Sequence, residues 1–481
     1  MQVAGQVAAL IGGQHVATDD VITVTDPSTG QPLSTVARCR EAEVAQAVTA
    51  ARRAFRDDWR HRTASDRAEV LRRFATAIRE ELAELATLES RDTGKPLSQA
   101  RADVHTTAAY FEFYASTVLA LHGEVVQPSA PGTMVLSVRE PHGVTGHIIP
   151  WNYPMAMMGR TVAPALAAGN CCVVKPAEDA PLTPLRLGDL ALEAGLPPGV
   201  LNIVPGYGEE AGAALAAHPG LDHLSFTGSG SVGAAVTRAA AAHAVPVTLE
   251  LGGKSPNIVF ADADLDAAVP AVVSSILQNA GQTCSAGSRL LVERRIHAQV
   301  IADIADRFAK ARLGPGPEDP DVGPLISARQ RDGVAGQVAA AADGCRIVTG
   351  GSVPADVPGG GFYYSPTLLD EVDPGSAAAQ AEIFGPVLAV LPFDQPAEAL
   401  RLANATQYGL VAGVWTKDVD RALWLAREAE AGCVYVNTFG GGVEVPFGGV
   451  KRSGHGREKG FEALASYTRT KSIVLRGKPC G

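Results

Sequence analysis

The sequence predicts an α/β protein with two doubly wound domains, and three observations carry that expectation. At 481 residues the chain is too long for a single core. From His147 onward, short β-rich runs alternate with alanine-rich stretches of helix length, the element order that builds a parallel sheet covered by helices. After "LELGGKSPNIVF" the alternation starts again, which puts a boundary near Gly252–Gly253.

The elements follow in order. "EAEVAQAVTAARRAFRD" carries Val44, Ala47, Val48, Ala51 and Phe55 at helical spacing. "DRAEVLRRFATAIREELAELATLES" does the same with Leu71, Phe74, Ile78, Leu82 and Leu85, and reads as one more long packing helix. "GHIIP" reads as a short buried strand, and "YPMAMMGRTVAPALAAG" as a helix closed by glycine. "CCVVKP", "VLNIVPG", "LDHLSFTGS" and "PVTLELGG" bring the first, parallel sheet to five strands. Ligands bind such sheets beyond the carboxyl ends of the strands. "RLLVE", "EIFGPVLAV", "GLVAGVWT" and "CVYVN" build the second domain, decorated by turn-rich stretches at 314–324 and 350–361.

Composition narrows the function. The chain is 46% hydrophobic and 19% charged, an ordinary globular balance. A net charge of −10, with basic residues only in short stretches such as Arg52–Arg53, Arg72–Arg73 and Lys451–Arg452, argues against a nucleic-acid partner. No apolar run reaches the ~18 residues of a membrane helix. The first twenty residues hold no Lys or Arg, unlike a secretory leader. The seven cysteines are dispersed and form no CxxC pair. A cytoplasmic, reducing setting with no membrane partner is the expectation.

Chemistry-bearing residues cluster at strand ends. "FTGSGSVGAAV" sets Gly228, Gly230 and Gly233 in G-x-G-x-x-G order between a strand and a helix, where free N–H groups and the helix dipole favour pyrophosphate. A plain helix-start cluster of glycines looks the same. Lys175 and Glu178 follow the strand "CCVVKP", in reach of a ribose. A carboxylate there accepts from ribose hydroxyls and repels a 2′-phosphate, favouring NAD over NADP; like charges at ~4 Å cost about 1 kcal/mol even in water. Glu250 ends a strand as a capping group or as a base of raised pKa. Asn152, on the proline-bracketed turn of "PWNYP", is placed to donate to an oxyanion. Cys284, between Thr283 and Ser285 on a glycine-bordered bend, is a packed thiol or a nucleophile. Each residue has a bland alternative; the conjunction of thiol, carboxylate, amide and dinucleotide motif favours catalysis.

Five segments, "PWNYP", "LELGGKSP", "GQTCSAGSR", "EIFGP" and "PFGGVKRSGHGREKG", resemble the signatures of the aldehyde dehydrogenase superfamily, in that family's order and over nearly the whole chain. The resemblance implies a Rossmann-like NAD-binding domain (1–121 and 142–252), an α/β catalytic domain (253–445), and a small β oligomerisation arm with the C-terminal segment (122–141 and 446–481). It implies oxidation of an aldehyde to a carboxylic acid. Cys284 is the nucleophile, Asn152 and the Cys284 N–H hold the oxyanion, and Glu250 activates water against the thioester. Thiolate character is expected from local N–H groups and Glu250 rather than from a basic neighbour. Lys175 and Glu178 match the adenosine-ribose contacts, Gly228 and Ser229 the pyrophosphate loop, and Gly208 and Gly212 the adenine side. Glu382 matches the nicotinamide-ribose anchor, with Phe384 beside it; Ile148, Ile149, Pro150, Trp151, Phe226, Val232 and Leu251 complete the cofactor set. No metal is implied, and a homodimer or homotetramer is.

For the aldehyde itself, Tyr153, Met157, Arg160, Gln278, Phe439 and Phe447 are the implied substrate residues. Arg160 matches a channel position where betaine-aldehyde enzymes carry an aromatic and succinic-semialdehyde and salicylaldehyde enzymes carry arginine. Gln278 departs from the former pattern, which has a second arginine there. The expectation is a carboxylate-bearing semialdehyde or a hydroxylated aromatic aldehyde. Two rivals are a coenzyme-A-acylating enzyme, which lacks a glutamate at the position of Glu250, and a non-catalytic relative, which would have lost Cys284, Glu250 or Asn152.

Overall fold

Two sheets organise the chain. The computed structural model describes residues 6–357 and 359–477; the first five residues of the N-terminal stretch and Cys480 lie outside them. In chain order the first sheet contains β1 (Ala9–Ile11), β2 (Gln14–Val16), β3 (Val144–Ile149), β4 (Cys171–Pro176), β5 (Leu201–Ile203), β6 (His223–Thr227) and β7 (Val247–Glu250). The second contains β8 (Pro256–Val259), β9 (Arg289–Glu293), β10 (Arg346–Thr349), β11 (Thr367–Asp370), β12 (Val387–Phe393), β13 (Val411–Trp415) and β14 (Cys433–Val436). A last strand, β15 (Gly454–His455), returns to the first sheet.

The first sheet runs β15-β7-β6-β3-β4-β5-β1-β2. Its five central strands are parallel, as the alternation predicts, while both edges are antiparallel. β3 and β4 are buried along their whole length, as near-continuous apolar strands must be when helices cover both faces. From β3 the chain moves outward to β4 and β5, then crosses to β6 and β7 on the other side. The order therefore reverses between β3 and β6, and the loops beyond their carboxyl ends flank a crevice.

The second sheet runs β10-β11-β12-β9-β8-β13-β14, parallel except at β10. Helix α1 (Pro154–Ala168) follows β3, with proline in its first turn and left-handed Gly169 (φ 100°) at its C-cap. Helix α2 (Gly230–Ala241) follows β6, and α3 (Leu265–Leu277) follows β8. One core packs around the first sheet and another around the second.

Three features depart from the sequence reading. The second amphipathic pattern is two helices, Ala64–Glu80 and Leu82–Thr93, broken at Glu81. The apolar phase continues through the break, with Leu71, Phe74, Ile78 and Leu85 all buried, so periodicity does not report it. The strand read from His147 starts at Val144. The C-terminal segment is also shared out. β15 pairs with β7, and Ala463, Leu464 and Tyr467 enter the first core. Only Thr468–Arg476 joins the arm, pairing along its length with Thr133–Pro141, which also pairs with Glu124–Val126.

Candidate active site

The carboxyl ends of the first sheet face the amino ends of the second. Residues following β3, β6 and β7 come together with residues preceding β9 and β12 around a cavity of about 280 Å³. Pro150, Trp151, Asn152, Tyr153, Met157, Gly228, Ser229, Glu250, Leu251, Cys284, Glu382 and Phe384 all line it. The thiol thus enters from the second sheet, opposite the strand ends that carry the carboxylate and the amide.

The local sequence explains how Cys284 is presented. After α3, Asn279, Ala280 and Gly281 are all left-handed (φ 50°, 53° and 74°). For Ala280 this costs on the order of 1–3 kcal/mol, and the surrounding bonds hold the turn. The Asn279 amide donates to the Asn152 carbonyl (2.9 Å), and the Asn152 amide donates to the Gln282 carbonyl (2.8 Å). Asn152 Nδ2 has a second N–H beyond that bond. Tyr153 and Thr283 share a hydroxyl–hydroxyl bond of 2.8 Å. On the other side, a Cβ at Gly253 would stand 2.4 Å from the Cys284 carbonyl. The second glycine of "LELGGKSP" is thus required by close backbone approach.

Burial dominates the electrostatics. It pushes the Cys284 thiol up to about 12, opposed mainly by the Arg160 guanidinium and then by the Ser285 N–H. The Glu250 charge works against thiolate formation, so the basic neighbour does more than the expected base. Burial also drives the Glu250 carboxyl well above its usual range, against Arg160; Glu458 adds to the rise. Arg160 lines neither this cavity nor the one beyond Cys284. Its Nη2 lies 3.2 Å from Glu250 and its Nε 2.5 Å from Glu458, with Phe447 4.4 Å from the guanidinium carbon. The two carboxylates and the guanidinium form a buried ion triad, with the Phe447 ring face against the cation. That placement corrects the expectation of a channel-facing guanidinium: two buried carboxylates already claim its charge.

The dinucleotide motif has the required shape. Ser229 caps α2 by accepting from the Val232 N–H, and Gly233 packs so closely that a Cβ would meet Leu251 at 2.7 Å. Nothing lies within 4 Å of the Cβ positions at Gly208 and Gly230, leaving their backbones open to a ligand. Val232 is exposed, while Ile148, Ile149 and Phe226 are buried. Gly212 sits against Lys175, which pairs with Glu178 at 2.9 Å. Burial raises the Glu178 carboxyl, but Lys175 and the Gly208 N–H outweigh it and hold the group below its ordinary range. Glu382 accepts from the Gly253 N–H (3.0 Å), and burial lifts its carboxyl to about 7. Trp151 and Phe384 meet edge to face at 5.4 Å. These donors, acceptors and open glycines fit a dinucleotide.

A second cavity of about 500 Å³ lies beyond Cys284, reached by its neighbours Thr283 and Ser285. Gln278, Phe439 and Phe447 line it, together with Tyr435, Asn437 and Lys459, which the sequence reading missed. Also missed was Gln330, a wall of the first cavity whose amide donates to the Phe384 carbonyl at 2.8 Å. It lies in a helix with no distinguishing local motif. Lys459 had a signal, since it belongs to the quoted "GREKG" run. Among the described residues no helix is long and apolar enough to cross a membrane.

A family model described as the aldehyde dehydrogenase family matches residues 15–473. Betaine aldehyde dehydrogenase of Bacillus subtilis (strain 168) is 40% identical over 98% of this chain and 97% of its own. A Burkholderia cenocepacia structure, assigned as an aldehyde dehydrogenase, superposes with a TM-score of 0.96 at 56% identity, covering 98% of this chain and 99% of its own. A betaine aldehyde dehydrogenase variant from Staphylococcus aureus, solved with NAD+, gives a TM-score of 0.96 at 36% identity over 98% of both chains.

Proposed function

Because the chain belongs to the aldehyde dehydrogenase family, we propose that it oxidises an aldehyde to the carboxylic acid with NAD, through a thioester on Cys284. The observation that carries this reading is the convergence of Cys284, Glu250 and Asn152 on one cavity walled by Ser229 and Glu382. Cys284 gives up its thiol proton to solvent, favoured by the Arg160 charge and the Ser285 N–H. The thiolate Sγ bonds to the aldehyde carbon as the C=O π bond opens, and the oxygen takes up the negative charge against the Asn152 amide and the Cys284 N–H. Bound NAD supplies the acceptor for the hydride that this tetrahedral carbon releases. Water attacks the resulting thioester carbonyl with Glu250 taking its proton, and the C–S bond then breaks, releasing the carboxylic acid and returning Cys284 as the thiolate. Burial raises that carboxyl and so makes it a stronger proton acceptor than a solvated carboxylate. Glu250 also speaks against the coenzyme-A-acylating alternative, in which a thiol replaces water.

The test separates the two halves of the cycle. With Glu250→Gln, attack and hydride transfer continue while hydrolysis slows by about 10²–10⁴-fold. One turnover should leave an acyl adduct on Cys284, visible by mass spectrometry of the intact protein. A variant that turns over at the original rate, or never forms the adduct or NADH, rejects the assignment.

Cofactor preference rests on Glu178. Its ionised carboxyl accepts from both ribose hydroxyls and repels a 2′-phosphate, and the Lys175 pair moderates that repulsion. Glu178→Ser is expected to narrow or reverse the preference for NAD, read as the ratio of kcat/KM for the two cofactors. An NADP preference in the unaltered enzyme would contradict it. The arm, with Val125, Met134, Val474 and Leu475 exposed along it, supports a homodimer or homotetramer. For the substrate we keep the class of carboxylate-bearing or hydroxylated aromatic aldehydes, now supported by the second cavity rather than by Arg160.

A further inference from the structure

The second cavity has one charged residue in its walls, Lys459. Its Nζ donates to the Gly441 carbonyl at 3.2 Å and lies 5.7 Å from the centre of the Phe447 ring, and both partners are themselves walls. The residue is only 9% exposed. Among the described residues no carboxylate pairs with it. An ammonium taken out of water, with one carbonyl and one ring face for company, is under-compensated. Arg160 cannot relieve it, being a like charge already bound to Glu250 and Glu458.

We propose that Lys459 selects the substrate, its ammonium receiving the carboxylate at the far end of an aldehyde whose carbonyl lies at Cys284. This rests on the reading of the protein as an aldehyde-oxidising enzyme. The remaining walls suit such a molecule. Tyr435, Phe439 and Phe447 cover an apolar or aromatic middle, and Gln278 and Asn437 bring polar groups. The same charge disfavours a quaternary ammonium. The chain therefore separates by substrate from the relatives named for betaine aldehyde.

Titration adds a second signature. Burial and Arg160 lower the Lys459 ammonium to about 8, against the opposing influence of Cys433 and Glu444. The group is charged below that pH and neutral above it, so carboxylate preference is complete at lower pH and fades as pH rises through about 8. Cys284 and Glu250 serve every aldehyde alike, so their titration cancels in a ratio of substrates.

The experiment uses the full-length enzyme, saturating NAD, and two matched series: ω-carboxyaldehydes of increasing chain length and the unsubstituted aldehydes of the same lengths. The unaltered enzyme is expected to prefer one or more of the carboxylates in kcat/KM. Lys459→Met should lower kcat/KM for those by about 10- to 100-fold, the worth of a charge-assisted hydrogen bond, and leave the unsubstituted series nearly unchanged. Lys459→Arg should keep most of the preference. Equal losses in both series, or an unaltered enzyme that oxidises neutral aldehydes but shows no preference for carboxylates, would overturn the role of Lys459. If neither series yields NADH, the aldehyde-oxidising reading itself fails.

Discussion

Cys284→Ala is expected to abolish NADH formation while leaving NAD affinity intact. Cys284 supplies the only thiol among the residues lining the cavity, a far better nucleophile and acyl leaving group than the hydroxyls of Ser229, Thr227 and Tyr153. The alanine is smaller and apolar, and the loop around it is held by Asn152–Gln282 and Tyr153–Thr283 bonds that do not involve the sulfur. The fold should therefore survive. Stopped-flow absorbance of NADH and calorimetric titration with NAD check the two halves of the statement. Substantial activity in the variant would remove the covalent mechanism altogether.

Arg160→Met is expected to have the second-largest effect, on stability before chemistry. Glu250, Glu458 and Arg160 are all within 5% of complete burial. Removing the cation strands two carboxylates in a poorly polarisable interior, at a cost on the order of 3–5 kcal/mol. Denaturant unfolding measures it. The double variant Arg160→Met with Glu458→Gln should recover part of the loss, because one stranded charge disappears. Chemistry shifts in a defined direction. Without the guanidinium the Glu250 carboxyl rises further, so more of it is protonated at a given pH and hydrolysis of the thioester needs a higher pH. An Arg160→Met protein as stable as the original, with an unmoved pH profile, would show that the triad carries no such weight.

Much of this arrangement is legible in the sequence because it is local. The strand–helix alternation sets the two sheets, and the strand-end positions of Asn152, Glu250 and the glycine motif place them beside one cavity. What escapes the sequence depends on long-range pairing. The antiparallel edges arise from short segments far from the central strands, with too few residues to show alternation. The break at Glu81 preserves the apolar phase and so leaves no trace. Arg160 was placed correctly on the face of α1 with Met157, which its guanidinium approaches at 3.9 Å. Its direction is decided by Glu458, from the far end of the chain, and no spacing rule reaches that far. Lys459 sits next to that glutamate yet points its charge elsewhere, with its backbone left-handed at φ 59°.

The return of the chain end to β7 makes the turn beside Glu250 the last part of the site to gain its bracing residues as the chain is synthesised. Ser453 accepts from the Leu251 N–H through its carbonyl (3.0 Å) and donates its hydroxyl to the Gly252 carbonyl (2.7 Å), bracing the turn beside Glu250. Glu458 and Phe447, which fix Arg160, come from the same late segment. A nascent chain that ends at β14 already contains Cys284 and the loop from Gly228 to Gly233, but not the residues that brace the turn beside Glu250 and hold Arg160. Any truncation before Gly454 therefore leaves Glu250 and Arg160 without the partners that the complete chain supplies.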